Sequence, residues 1–293
     1  MKKIVILGCE NSHADSFLEF IYNNEKFQGI EVVGIYSDES EPMQRLAEKF
    51  HVPIMQSYDE AVGKVDGVVI TARHGDKHFL YAEPYLQSGV PMFIDKPITI
   101  SATEAVEFAK RLREKQIQIS GGTICKHDRF VQQLKEEHEK EVDGETLGGF
   151  VRAPLMEGSV YGGFYFYAQH LVEVVLEIFG RHPYSVQAYK NGRTVNVLFK
   201  YDGFSINGLY VNKSNLYFAC RQSQSGMKAQ SIYTTESVRC SELEFAEFYD
   251  VLFGGQSKIS YDDFIAPVFV MNAIERSMES GKEEKIAYQS MDE

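Results

Sequence analysis

Gly89-Val90-Pro91-Met92-Phe93-Ile94-Asp95-Lys96-Pro97-Ile98 is the stretch that decides the fold of this 293-residue chain. Val90–Ile94 is a short apolar run of the kind a buried strand requires, and an acid, a lysine and a proline follow directly. In an open parallel sheet ligands lie outside the carboxyl ends of the strands, so a charged pair there faces the crevice and not the core. Pro97 locks its own φ and biases Lys96 toward extended backbone, which gives the ammonium a defined direction. Without its surroundings the same triplet reads as an ordinary solvated strand end.

The surroundings favour the crevice. Lys77–Gln87 has helical spacing and stops at Gly89; Ser101–Lys115 reads as a helix with Ser101 and Glu104 as a capping box. Upstream, Ile4–Leu7, Ile30–Tyr36, Val52–Ile54 and Gly67–Ala72 read as strands. Helical spacing covers Ala14–Tyr22 and Met43–Phe50, with a turn of helix at Tyr58–Val62. Ile117–Ile119 is the last strand, before Gly121-Gly122. Strands alternating with helices predict a doubly wound parallel sheet over residues 1–121. Residues 122–293 form a second α/β domain: a charged helix at Arg129–His138, a polar loop at Val142–Gly149, and an apolar helix at Phe164–Phe179. Between Tyr184 and Tyr233, short Tyr- and Phe-containing segments are broken by Asn191-Gly192, Asp202-Gly203 and Asn212-Lys213. These are hairpin signals and predict an antiparallel sheet. Leu243–Phe253 and Asp263–Ser280 are closing helices.

A net charge of −12 argues against nucleic acid or an anionic membrane surface as partner. Cys9, Cys125, Cys220 and Cys240 form no Cys-x-x-Cys pair, so neither a zinc ribbon nor a disulfide framework is indicated. The apolar run after Met1-Lys2-Lys3 ends at Leu7, too short for the core of a signal peptide, and nothing downstream reads as a membrane span. The expectation is a soluble, cytoplasmic protein.

A dinucleotide fingerprint has Gly-x-Gly-x-x-Gly after the first strand, where glycines let the backbone close on a pyrophosphate at a helix N-terminus. Here the turn is Gly8-Cys9-Glu10-Asn11-Ser12-His13, with Glu10 and His13 in the second and third glycine places. Asn11 or Ser12 can still cap the helix and present amides. Ser37 and Asp38 end the second strand, where an acid accepts adenosine ribose hydroxyls; Asp38 in that role favours NAD over NADP, and Ser37 tolerates a 2′-phosphate. Thr71-Ala72-Arg73 and His78 follow the fourth strand at the same edge. His13, His74, His78 and Glu10 show no tight ligand spacing, so no metal is assigned. In the second half, Gly162-Gly163 introduces a helix that can set His170 against Lys96 across an interdomain cleft. Glu173 lies three residues on, placed to orient the ring; a satisfied helix histidine with a neighbouring acid is the equally weighted plain reading.

Several of these stretches together resemble the glucose-fructose oxidoreductase / inositol dehydrogenase / MocA family. They are Gly8, Arg45–Pro53, Val65–Thr71 with His78, Asp95-Lys96-Pro97, Gly162-Gly163 with His170, and Ala273–Ser277. The resemblance implies a Rossmann domain, an NAD or NADP cofactor, and a domain whose open sheet forms the interface of a homodimer or homotetramer. It further implies oxidation of a hydroxyl on a sugar-like or polyol substrate. Lys96 would position the substrate oxygen, and His170 would exchange its proton. Gly8, Asn11, Ser12, His13, Ser37, Asp38, Thr71, Ala72, Arg73, His78, Asp95 and Lys96 would line the cofactor. Three departures are visible: the two missing glycines, Phe166 where the family has an aspartate four residues before the histidine, and Asp95 in place of a glutamate. They keep open an alternative, a redox-inactive relative serving as a nucleotide or sugar sensor.

Overall fold

The computed structural model describes residues 1–233 and 236–288. Two compact units partition the chain: Met1–Thr99, Thr103–Gly122 and Ser241–Tyr261 make the first; Ile100–Ala102, Thr123–Cys240 and the chain from Asp262 onward make the second.

The first unit is a five-stranded parallel sheet in the order β2-β1-β3-β4-β5. Its strands are β1 (Lys2–Leu7), β2 (Ile30–Tyr36), β3 (Gly67–Ile70), β4 (Met92–Asp95) and β5 (Ile119–Gly122). Helices α1 (Ser12–Asn23), α2 (Ser40–Phe50), α3 (Asp76–Ala82) and α4 (Ala102–Glu114) connect them. The near-continuous apolar runs of β3 and β4 are wholly buried, as a sheet covered on both faces demands. Val52–Ile54 does not form a strand: only Ile54 bridges to Ile35, because Pro53 has no N–H to give a ladder and offers only its carbonyl, to Ile35 N. Tyr58–Val62 is a run of turns without helix. The helix expected over Lys77–Gln87 changes to a 3₁₀ turn at Glu83–Ser88, where Pro84 interrupts α-helical bonding. The last strand lies two residues later than expected and contains Gly121-Gly122. A Cβ on Gly121 would stand 1.9 Å from Ile94 O, so only glycine lets β5 close on β4 there.

Helix α7 (Ser237–Leu252) brings the returning segment into this unit. Its Phe245 and Phe248 pack with Phe17 of α1, Phe27 and Phe93 of β4, at centroid distances of 4.8 Å for Phe17–Phe93 and 4.9 Å for Phe27–Phe245. Each such buried ring contributes roughly 1.5–3 kcal/mol, enough to hold α1 and α7 in a defined register against the sheet.

The second unit carries a seven-stranded sheet in the order β11-β10-β6-β9-β8-β7-β12. Its strands are β6 (Thr146–Leu155), β7 (Ser185–Asn191), β8 (Thr194–Lys200), β9 (Ser205–Asn212), β10 (Tyr217–Ser223), β11 (Met227–Ile232) and β12 (Glu283–Lys285). It is mixed and mostly antiparallel: β6 runs parallel to β9 and inserts between β9 and β10. Asn212-Lys213 is therefore a crossover and not a hairpin, and the second half of the loop expected over Val142–Gly149, from Thr146 on, is the start of β6. The Asn191-Gly192 and Asp202-Gly203 hairpins form as expected. Helices α5 (Arg129–Glu139), α6 (Tyr165–Phe179) and α8 (Tyr261–Ser280) accompany this sheet. Fourteen of the residues of α6 are buried, and Tyr210 on β9 ties it down by donating its hydroxyl to Ala168 O at 2.7 Å.

Candidate active site

In the first unit, β4 delivers Asp95 and Lys96 to the carboxyl edge of the sheet, and the Lys96–Pro97 peptide is cis. Asp95 is fully buried and Lys96 is 5% exposed, so the pair is not a solvated strand end. Asp95 Oδ1 accepts from Lys96 N at 2.6 Å and Oδ2 from Asn11 Nδ2 at 2.6 Å. His13 Nδ1 stands 3.0 Å from Asp95 Oδ2 and 3.7 Å from Glu244 Oε2. Burial disfavours charge on both groups, but the opposed charges outweigh it. The Asp95 carboxyl is held at about 2, and His13, facing two buried acids, is pushed up to about 9. His13 is thus an imidazolium at neutral pH, placed where the family's third glycine would be. It links α1, β4 and α7. Glu244 sits on the returning helix, and no motif around it announces this role.

The first turn has a second network. Gly8 adopts φ +103, and a Cβ on it would lie 2.1 Å from Ala72 N; Thr71 Oγ1 donates to Gly8 O at 2.7 Å. Glu10 reaches sideways: Oε2 accepts from Ser37 Oγ at 2.6 Å and Oε1 from Arg73 N at 2.9 Å. Its carboxylate is committed to the loops after β2 and β3. Asn11 caps α1, its Oδ1 accepting from His13 N at 3.1 Å, while Ser12 is exposed. Asp38 carries Tyr36 Oη at 2.9 Å and Lys77 Nζ at 3.1 Å, which hold its carboxyl below the usual range against a burial penalty. His78 is wholly buried with Nε2 2.7 Å from Ala72 O, and burial lowers its pKa, so it is neutral and braces the loop after β3.

In the second unit, α6 carries His170 and Glu173. His170 Nδ1 lies 2.6 Å from Thr123 Oγ1, with Cys125 Sγ at 3.9 Å and the rings of Tyr167 and Tyr217 edge-on at 5.1 and 5.9 Å. Glu173 does not orient the ring directly. Its Oε2 accepts from Thr123 N at 2.6 Å and from Gln169 Nε2 at 2.7 Å, so it holds the threonine that meets the imidazole. Burial raises the pKa of this carboxyl despite nearby Lys126. Thr123 Oγ1 also accepts from Cys125 N, and a hydroxyl can either donate to Nδ1 or accept from Nδ1–H. The threonine therefore serves both ring tautomers. Phe166 packs against Tyr161 and Tyr167 at 5.3 and 4.9 Å, giving an aromatic surround where the family has an aspartate.

The first unit is a doubly wound sheet with charged residues at its carboxyl edge, and the second is a mixed sheet with a histidine-bearing helix; each is an α/β unit. Residues 2–123 match the Gfo/Idh/MocA model, described as an oxidoreductase family with an NAD-binding Rossmann fold. The chain is 22% identical over 201 residues to the uncharacterized oxidoreductase YhhX of Escherichia coli, covering 63% of this chain and 56% of the relative. It is 25% identical over 116 residues to the UDP-N-acetylglucosamine 3-dehydrogenase of Acidithiobacillus ferrooxidans, covering 39% and 37%. The matches thus span about half, or less, of these relatives' own lengths. Among solved structures, scyllo-inositol dehydrogenase from Lactobacillus casei with bound NAD(H) and scyllo-inositol shares the fold at a TM-score of 0.83 and 15% identity, covering 98% of this chain and 99% of that one. Among the described residues, no helix is long and apolar enough to cross a membrane.

Proposed function

We propose that the protein is an NAD(P)-dependent dehydrogenase that oxidises a secondary hydroxyl of a sugar-like or cyclic polyol substrate, or reduces the matching ketone. The observation that carries this reading is the buried, ionised Asp95 beside Lys96 at the carboxyl edge of the family-matched sheet. The first turn fits a dinucleotide: Gly8 has no Cβ to hold the loops apart, α1 begins directly beyond it, and the Glu10 charge is bound by Ser37 and Arg73 N. Asn11, Ser12, Ser37, Thr71, Ala72 and Arg73 would line the cofactor; His13, His78 and Asp95 would support that lining from behind.

A bound nicotinamide cofactor would supply the hydride acceptor for the carbinol carbon. Lys96 directs its ammonium at the substrate oxygen and lowers the cost of charge there. His170 accepts the hydroxyl proton at Nε2, since Nδ1 is engaged by Thr123 Oγ1. Glu173 and Thr123 hold the ring's position throughout. Positioned proton transfer of this kind supplies roughly 10²–10⁴-fold in rate. The names of the neighbours support the substrate class, since the L. casei structure holds scyllo-inositol. The open face of the second sheet supports self-association as a homodimer or homotetramer. The test is a panel of inositols, sugars and sugar acids with NAD and NADP, followed by nicotinamide absorbance. Turnover on a polyol or sugar is the expected result. Cofactor binding without turnover on any of them would favour a sensor.

A further inference from the structure

We infer that Glu10 selects NAD over NADP, taking the role that the end of the second strand usually plays. This rests on the dinucleotide reading above. On a doubly wound sheet the adenosine ribose lies beyond the second strand, where an acid accepts its hydroxyls. The sequence offers Asp38 for that position, but there its charge is matched by the Lys77 ammonium, whereas the donors to Glu10 are a hydroxyl and a backbone N–H. One oxygen of Asp38 accepts from Tyr36 Oη and the other pairs with Lys77, and its side chain is 49% exposed. Ser37, which ends the strand, is buried and gives its hydroxyl to Glu10 Oε2 at 2.6 Å. The carboxylate at this corner therefore comes from the β1 turn.

Its chemistry suits a diol. A carboxylate has about four acceptor positions, and two of these are taken by Ser37 Oγ and Arg73 N, which leaves acceptors for the ribose hydroxyls. A 2′-phosphate at the same place would set a dianion against this carboxylate. Lys77 of α3, which reaches Asp38 beyond β2, has its charge matched by that carboxylate. Arg73 contributes its backbone N–H to Glu10 and so fixes where the carboxylate stands. Glutamate in the second fingerprint position thus trades a glycine's closeness to the pyrophosphate for a ribose acceptor reaching from the neighbouring turn.

The test is the dissociation constant of NADH and of NADPH, by titration calorimetry or nicotinamide fluorescence, for the wild type, Glu10→Gln and Glu10→Gly. The wild type should bind NADH at least roughly tenfold tighter than NADPH, since like charges in contact are strongly disfavoured. Glu10→Gln keeps the shape and an acceptor for Ser37 but loses the charge, and should bring the ratio close to one, mainly by tighter NADPH binding. A ratio unmoved by Glu10→Gln, or a wild type that prefers NADPH, overturns the assignment. So does Glu10→Gly tightening both cofactors alike, since Glu10 would then be an obstruction. Absence of binding of either cofactor to all three proteins would instead defeat the dinucleotide reading itself, and the assignment with it.

Discussion

Replacing His13 by glutamine removes a buried cation from between two buried carboxylates, and the cost should depend on pH in a defined direction. Raising the imidazolium pKa from 6.5 to about 9 is worth roughly 3 kcal/mol of folding stability. Seen from Asp95, whose carboxyl falls from 3.8 to about 2, the same interaction is worth about 2 kcal/mol, and it counts once. Because the folded-state pKa of His13 lies above its unfolded value, this stability is fully present below 6.5 and fades as pH rises through about 9. His13→Gln should therefore cost about 3 kcal/mol at neutral pH, in line with the roughly 3–5 kcal/mol seen when one partner of a buried ion pair is deleted. Near pH 10 the difference should shrink to about 1 kcal/mol or less, because wild-type His13 is then neutral too. Urea midpoints of both proteins across this range measure it, and other titrating groups cancel in the difference. A difference that stays flat with pH, or a neutral-pH cost below about 1 kcal/mol, would refute the placement of His13 as the imidazolium between Asp95 and Glu244.

Lys96→Ala should abolish turnover while NADH still raises the melting temperature; unchanged turnover would remove Lys96 from the chemistry. His170→Ala should lower the rate by roughly 10²–10⁴-fold, read from kcat on the substrate found by the panel. Thr123→Val removes the hydroxyl at His170 Nδ1 but leaves the backbone N–H to Glu173. It should move the pH dependence of kcat/KM with little change in cofactor affinity, which a merely structural role would not do. Gly8→Ala sets a methyl 2.1 Å from Ala72 N at φ +103 and should cost more than about 3 kcal/mol or prevent folding. Gly158→Ala, with nothing within 4 Å, should be near neutral by the same melt.

The alternation of apolar strands and amphipathic helices made the first sheet legible, because buried parallel strands must be apolar on both faces. Where the chain punctuates itself with proline, local pattern misled: Val52–Ile54 has strand-like residues, but Pro53 cannot complete a ladder. β6 escaped notice because its start, Thr146-Leu147-Gly148-Gly149, is polar and glycine-rich. Its place between β9 and β10 is a long-range choice that hairpin signals cannot encode. Among the candidate residues, Asp95-Lys96 could be placed at a strand end and His170 on a helix from their flanking sequence. Glu244 could not, since its role depends on α7 returning to the first unit far along the sequence. Thr123 and the sideways reach of Glu10 were equally hidden. Both depend on which loop lies next to which, and neither residue sits in a pattern of its own.

The proposed reaction passes a carbinol hydrogen to a nicotinamide while this chain moves the hydroxyl proton. Incubating the protein with NAD and polyols deuterated at their carbinol carbons, then locating the label by mass spectrometry and NMR, tests it most directly. Deuterium at C4 of the nicotinamide is expected with the wild type and none with Lys96→Ala. Nicotinamide recovered without label, from protein that holds NAD and has met every polyol in the panel, would contradict it.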